Sequence, residues 1–275
     1  MRKTINPRPE MALNLSERPQ APMQDYHPRP DLLADRIILI TGAAEGIGRA
    51  LALACAQHGA TVILSGARAQ ALESIYDAIV AAGGLEPASL PLDLETADES
   101  LMLGIATTLG DEFGRLDGLA HTAHYIPFLS RIDDYDAEQW EKVLRINLTA
   151  PFLLTQACLP LLRTAEAGSV LFQSDRVGRR ALAYWGAFAA AMSGIEALMQ
   201  TLAEETDGNS RIRVNSIDPG AVRTAQRRQL YPAEDPNTLA PPEQIINAYL
   251  YLLGPDSRGL SGQALSAQTP GVLRK

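Results

Sequence analysis

Lysine is scarce in this chain of 275 residues, occurring only at Lys3, Lys142 and Lys275. Cysteine is scarcer still. Cys55 sits in an Ala-rich helical run and Cys158 in a Leu-rich one, so two thiols placed as small core residues point to neither a disulfide framework nor a metal site. Basic charge is not in excess: the formal net charge is -8, which argues against a nucleic-acid or anionic-membrane surface. The opening Met1-Arg2-Lys3 lacks the apolar stretch of a signal peptide, and no later run is long enough to span a bilayer. A cytoplasmic protein with no membrane and no nucleic-acid partner is the expectation.

Proline, by contrast, crowds the first thirty residues at positions 7, 9, 19, 22, 28 and 30, with little apolar surface around it. Residues 1–31 are therefore expected to form a mobile extension, and residues 32–275 a single domain. From Asp31 the pattern becomes regular. A β-branched run, Arg36 to Thr41, leads through a Gly-punctuated turn into an Ala/Leu-rich helix from Gly46 to His58. The cycle repeats with strands expected at 61–64, 89–93, 116–120, 169–173, 212–217 and 263–265. Helices are expected at 67–82, 98–111, across 140–162, at 184–205 and at 244–253. Such alternation implies an α/β fold, a doubly wound parallel sheet of the Rossmann type in a three-layer αβα sandwich.

The sharpest local signal is the first turn, Thr41-Gly42-Ala43-Ala44-Glu45-Gly46-Ile47-Gly48. Glycines between a first strand and a first helix let the backbone approach a pyrophosphate, which the helix N-terminus then stabilises. A simple tight turn would use the same residues. Three residues between the first two glycines is not the ordinary dinucleotide spacing.

That spacing is similar to the TGxxxGxG loop of the short-chain dehydrogenase/reductase family, and the resemblance runs from Asp31 to about Gln268. Asp93-Leu94 resembles the family's adenine-contacting Asp, Asn147 its catalytic-helix Asn, and Pro219-Gly220-Ala221-Val222-Arg223-Thr224 its segment over the nicotinamide and phosphates. Thr122 and Ala123 fall in the stretch after the fourth strand that reads Asn-Asn-Ala-Gly in the family. A bacterial subgroup shares the Val177-Gly178-Arg179 turn and the Trp185-Gly186-Ala187 step. The resemblance implies a NAD or NADP site and a homodimer or homotetramer.

The family's chemistry rests on a tyrosine, a lysine four residues later and a serine thirteen residues before the tyrosine. Here those positions hold Phe188, Met192 and Asp175. A ring without a hydroxyl transfers no proton. Tyr184, one helical turn earlier, is either a substitute or a packing residue, and the wider spacings that the divergent enoyl reductases use meet only Ala191 and Met192. His121 and His124 replace the first Asn and the Gly after the fourth strand. His121 reads as a buried, hydrogen-bonded histidine. His124, Tyr125, Asp175, Arg176 and Tyr184 form a possible repurposed site, with Asp175 expected to raise the His124 pKa if the two meet. Arg68 could receive an NADP phosphate and Glu45 would repel it, so the choice between NAD and NADP stays open, as does a plain surface role for both. Two functions follow: a catalytically degenerate member binding a nucleotide, an unknown small molecule or a partner, which is the favoured reading, or an oxidoreductase for an unknown carbonyl or alcohol that uses non-standard groups.

Overall fold

The computed structural model describes residues 26–206 and 211–268. Its sheet has seven strands, all parallel, in the order β3-β2-β1-β4-β5-β6-β7. They are β1 (Ile37–Thr41), β2 (Thr61–Gly66), β3 (Ala88–Pro91), β4 (Gly118–His121), β5 (Gly168–Gln173), β6 (Ile212–Asp218) and β7 (Ala264–Ser266). Every residue of β1, β4, β5 and β6 is buried, as expected of strands covered on both faces.

Side-chain alternation divides the apolar strand residues between two cores. Ile38, Ile40, Val62, Leu64 and Leu171 pack under α1 (Gly46–Gln57), α2 (Ala69–Ala81) and α9 (Ile246–Leu253). Leu39, Ile63, Leu119, Val170 and Phe172 pack under α3 (Glu99–Phe113), α5 (Ala150–Thr164) and α7 (Gly186–Thr206). This is the expected doubly wound αβα sandwich. The chain builds β1, β2 and β3 outward and then crosses back to place β4 beside β1, which makes the junction of β1 and β4 the switch point where such sheets open a ligand crevice.

The helix expected across 140–162 is two helices, α4 (Ala137–Leu144) and α5, joined by one π turn, Arg145–Thr149, that carries Asn147. Residue composition does not reveal a single wide turn inside a helical pattern. Two short helices were not expected: α6 (Arg176–Arg179), capped by the Asp175 carboxylate on Val177 N at 2.9 Å, and α8 (Ala225–Leu230), capped by the Thr224 hydroxyl on Arg227 N at 3.1 Å. α7 starts at Gly186 rather than at Tyr184, because Tyr184 has φ 73°, in the left-handed region.

The extension expected over 1–31 is bound to the domain at its end. Tyr26 donates to Asp256 at 2.8 Å and lies edge-on to Tyr251, Arg29 reaches the same carboxylate at 2.7 Å, and Asn247 donates to the Tyr26 carbonyl at 3.0 Å. Residues 1–25 lie outside the described residues. The substitution Tyr26→Ala, which removes the ring contact and a hydrogen bond together, should lower stability by about 1–2 kcal/mol in chemical denaturation. An unchanged midpoint would show that residues 26–31 contribute nothing to the domain.

Candidate functional site

A cleft of about 370 Å³ opens at the C-terminal edge of the sheet over the switch point. Its floor is the turn from β1 into α1. Gly42 has φ 70°, and a Cβ there would lie 2.7 Å from the backbone of Ala123; at Gly48 a Cβ would lie 2.2 Å from the Gly42 carbonyl oxygen. These two glycines are thus required by the protein's own close packing. A side chain at 48 would disturb the turn before any ligand arrived. Gly46, with φ 55°, is different: a Cβ there would make only ordinary contact with Thr224, 3.6 Å away.

Thr41 ties the floor to the loop after β4. Its hydroxyl accepts from Thr122 N at 3.2 Å, and Thr122 Oγ1 donates to the Thr41 carbonyl at 2.5 Å. The Glu45 side chain makes no capping bond at the start of α1, so no carboxylate competes for the first-turn amides. Such an N-terminus, reached across glycines, can hold a phosphate or pyrophosphate. Glu45 instead pairs with Arg68 at 2.9 Å on the exposed rim, which joins the two opposed cofactor cues in one surface ion pair.

The cleft is lined by Thr41, Gly42, Glu45, Gly46, Ile47, Gly48, Arg68, Asp93, Leu94, Thr122, Ala123, His124, Tyr125, Asp175, Phe188, Pro219, Gly220, Val222 and Thr224. Four expected site residues do not line it. Asn147 is buried and clamps the loop, accepting from Tyr125 N at 2.9 Å and donating to the Tyr125 and Val143 carbonyls, each at 2.8 Å. Met192 is wholly buried beneath the α6 turn, whose Gly178 has no room for a Cβ against it. Arg176 is exposed outside the cleft. Tyr184, 57% exposed, lines a separate groove with Ile132, Trp140 and Leu182 rather than the cleft. Its left-handed backbone, fixed by Ser130 N donating to the Tyr184 carbonyl at 3.1 Å, breaks the helical register that would have aligned it with Phe188.

His124 and Asp175 share the cleft but not a hydrogen bond, so the condition for a raised His124 pKa is not met. The Asp175 carboxylate is committed to capping α6. His124 meets Gln173 instead: its Nε2 donates to the Gln173 carbonyl at 3.1 Å, and Gln173 Nε2 donates to its Nδ1 at 3.2 Å. This pairing fixes a neutral ring. Burial pushes the imidazole down to about 4. Gln173 is held in turn by Tyr249, whose hydroxyl donates to its Oε1 at 2.8 Å. The His124 ring stands edge-on to Phe188, centroids 5.5 Å apart. His121 is a buried, hydrogen-bonded histidine as expected, 2.8 Å from Thr155 Oγ1, and burial lowers it to about 3.

Gln173, Ser174 and Trp185 also line the cleft, at the end formed where β5 meets α6 and α7 begins, its inner end, and Arg227 of α8 lines it too. A polar residue closing the otherwise apolar run Val170-Leu171-Phe172 was the available signal for Gln173. The Ser174 hydroxyl is wholly buried and finds no partner among the described residues, although it borders the cleft. Arg227 had no periodic pattern to announce it; it is held by Glu234 at 2.7 Å and stacked on Tyr231. Lys142 pairs with Glu95 and lies over the Tyr125 ring, 4.9 Å from its centroid. Among the described residues no three His, Cys, Asp or Glu side chains converge to hold a metal, and no helix is long and apolar enough to cross a membrane.

The two buried imidazoles give the fold an acid-side weakness. In the unfolded chain histidine takes up a proton near pH 6.5, whereas His124 does so in the fold only near 4 and His121 near 3. Stability should therefore be complete above about pH 6.5 and fall as the pH drops from there toward 4. NMR titration should find both rings neutral at pH 6, with His124 unmoved by Asp175→Asn. A His124 midpoint near or above 6.5 would contradict the Gln173 pairing.

Comparison with known proteins agrees with this fold. The sequence profile of the short chain dehydrogenase family matches residues 36–235. An uncharacterized oxidoreductase of Escherichia coli strain K12, YciK, is 42% identical over 250 residues, covering 90% of this chain and 98% of its own. A short chain dehydrogenase from Pseudomonas syringae superposes with a TM-score of 0.87 at 46% identity, covering 89% of this chain and 99% of its own. One from Shigella flexneri, solved in complex with NADP, does so with a TM-score of 0.85 at 42% identity, covering 88% and 100%. The chain belongs to the short-chain dehydrogenase family.

Proposed function

We propose that this family member binds a nicotinamide dinucleotide in the cleft without performing the family's usual carbonyl–alcohol interconversion, and that it acts through binding, of nucleotide, small molecule or partner. The carrying observation is the pair Phe188 and Met192, 3% and 0% exposed, which stand where the tyrosine and lysine are expected. The nearest described lysine, Lys142, is committed to Glu95 at 2.6 Å. Neither residue at the two positions can donate or accept a proton.

The residues present fit the dinucleotide. The glycine floor and the uncapped start of α1 suit its pyrophosphate, and the orphaned Ser174 hydroxyl offers a buried polar group to whatever fills the inner end. All of Asp93, Leu94, Glu45, Arg68, Val222 and Thr224 line the cleft, and the family resemblance supports an adenine role for Asp93 and Leu94, a ribose-side role for Glu45 and Arg68 and a nicotinamide-side role for Val222 and Thr224. A bound nicotinamide would supply a hydride donor or acceptor. The chain supplies shape and a wall of Phe188 and Trp185, with neutral His124 behind it, but no tyrosine–lysine pair. The NADP-bound Shigella relative supports NADP as the ligand to test first.

The competing reading, an oxidoreductase with substitute groups, draws support from Asp175, whose carboxyl burial holds above the ordinary range and which lines the same cleft. A homodimer or homotetramer belongs to the proposal too. It is supported by the sparse charge of α5, with Arg163 alone, and by the exposed small residues Ala190, Ser193 and Ala197 on α7.

The parent protein should show no measurable reduction of simple ketones with NADPH. Lost acid–base assistance is worth roughly 10²- to 10⁴-fold, so the combined change Phe188→Tyr, Met192→Lys and Asp175→Ser should raise turnover by a comparable factor if it folds. Robust turnover by the parent, abolished by Asp175→Asn, would establish the competing reading.

A further inference from the structure

The inner end of the cleft has an unusual charge balance. Two cationic side chains line the cleft, and both are neutralised: Arg68 by Glu45 at 2.9 Å and Arg227 by Glu234 at 2.7 Å. His124 is held neutral by Gln173. Asp175 uses Oδ1 to cap α6, and its other oxygen receives no hydrogen bond among the described residues. Three arginines act on this carboxylate: Arg176, its exposed neighbour in the chain; Arg227; and Arg179, which is bound by Glu196 at 3.0 Å. Asp218, at the end of the adjacent β6, does not line the cleft and accepts from Gly220 N at 2.8 Å. The rings of Phe188 and Trp185, centroids 5.9 Å apart, line the same cleft as Asp175, and an aromatic face attracts a cation.

We propose that the inner end of the cleft selects positive charge, so that of the two redox states of a nicotinamide dinucleotide it binds the oxidised form, with its cationic pyridinium ring, in preference to the reduced form, whose dihydropyridine ring is neutral. The inference rests on the proposed dinucleotide binding for its ligand, but the charge selection is a property of Asp175 and the aromatic wall. The two forms differ by one unit of charge at the ring and share the same adenine, riboses and phosphates, so contacts along the rest of the cleft cancel in the comparison. One carboxylate a few ångströms from that charge, partly screened, is worth on the order of tenfold in relative affinity. No proton or hydride moves in this discrimination. The protein would then respond to how oxidised the dinucleotide pool is without consuming it.

The test is calorimetric titration of the full chain with NADP⁺ and NADPH, repeated with NAD⁺ and NADH, on the parent and on Asp175→Asn. Asparagine keeps an oxygen able to accept from Val177 N, so the α6 cap survives while the charge is lost; circular dichroism checks the fold. Tighter binding of the oxidised form by about tenfold, collapsing toward equality in the variant, is the expected result. Equal affinities in the parent, a preference for the reduced form, or a preference that a folded Asp175→Asn retains would overturn the inference while leaving dinucleotide binding intact. Ligand-observed NMR with the cation 1-methylnicotinamide and with neutral nicotinamide separates the other case. Preference for the cation, without binding of any dinucleotide, would uphold charge selection and remove the dinucleotide reading; binding of no probe would remove both.

Discussion

The structure turns on how closely the β1–α1 turn approaches the loop after β4. Gly42 lies against the backbone of Ala123, Gly48 against the Gly42 carbonyl and the Thr122 hydroxyl, and Thr41 bonds across the same gap. No side chain fits between these segments. Their contact lies at the switch point of the sheet, so the packing that holds the two halves of the fold together also leaves a backbone-lined floor for a ligand. Substitutions elsewhere in the cleft need not disturb this floor, because its geometry serves the fold first.

Above that floor, the substitutions at the inner end act together. Replacing a phenol and an ammonium by Phe188 and Met192 makes the wall apolar, and Met192 is sealed under α6. Asp175 both caps α6 and turns a carboxylate toward the cleft. His124 fills space that a glycine would leave open, yet it carries no charge because Gln173 satisfies both of its ring nitrogens. A site suited to a negatively polarised carbonyl oxygen would present donors and a cation at this place. This one is lined by two aromatic rings and a carboxylate, with the Ser174 hydroxyl as an unpartnered donor and no unpaired cation among the described lining residues.

Much of this was legible in the residues. Strand and helix periods from Ile37 to Leu265 gave the parallel sandwich, and residues of the glycine turn, Asp93 and the Pro219–Thr224 segment line one cleft. What could not be read depends on side-chain direction or on a single backbone angle. The positive φ of Tyr184 sends its ring to another groove, and the π turn at Asn147 hides inside a helical pattern. The partner of His124 was misread because the parallel register pairs His121 with Phe172 and so brings Gln173, one residue further on, beneath the following loop, while Asp175 is taken by its own helix. The part played by residues 26–31 was missed for a similar reason: Tyr26 and Arg29 find Asp256 more than two hundred residues away in the chain.

On the proposed reading a dinucleotide occupies this particular cleft through the glycine floor. Backbone amide NMR of the isotopically labelled protein during addition of NADP⁺ tests it most directly. The account predicts saturable shifts at Gly42, Gly46, Ile47, Thr122 and Asp93, continuing to Ser174 and Asp175, with Ala190 and Ser193 in the separate groove unmoved. Shifts confined to that second groove, or none at millimolar nucleotide, would contradict it.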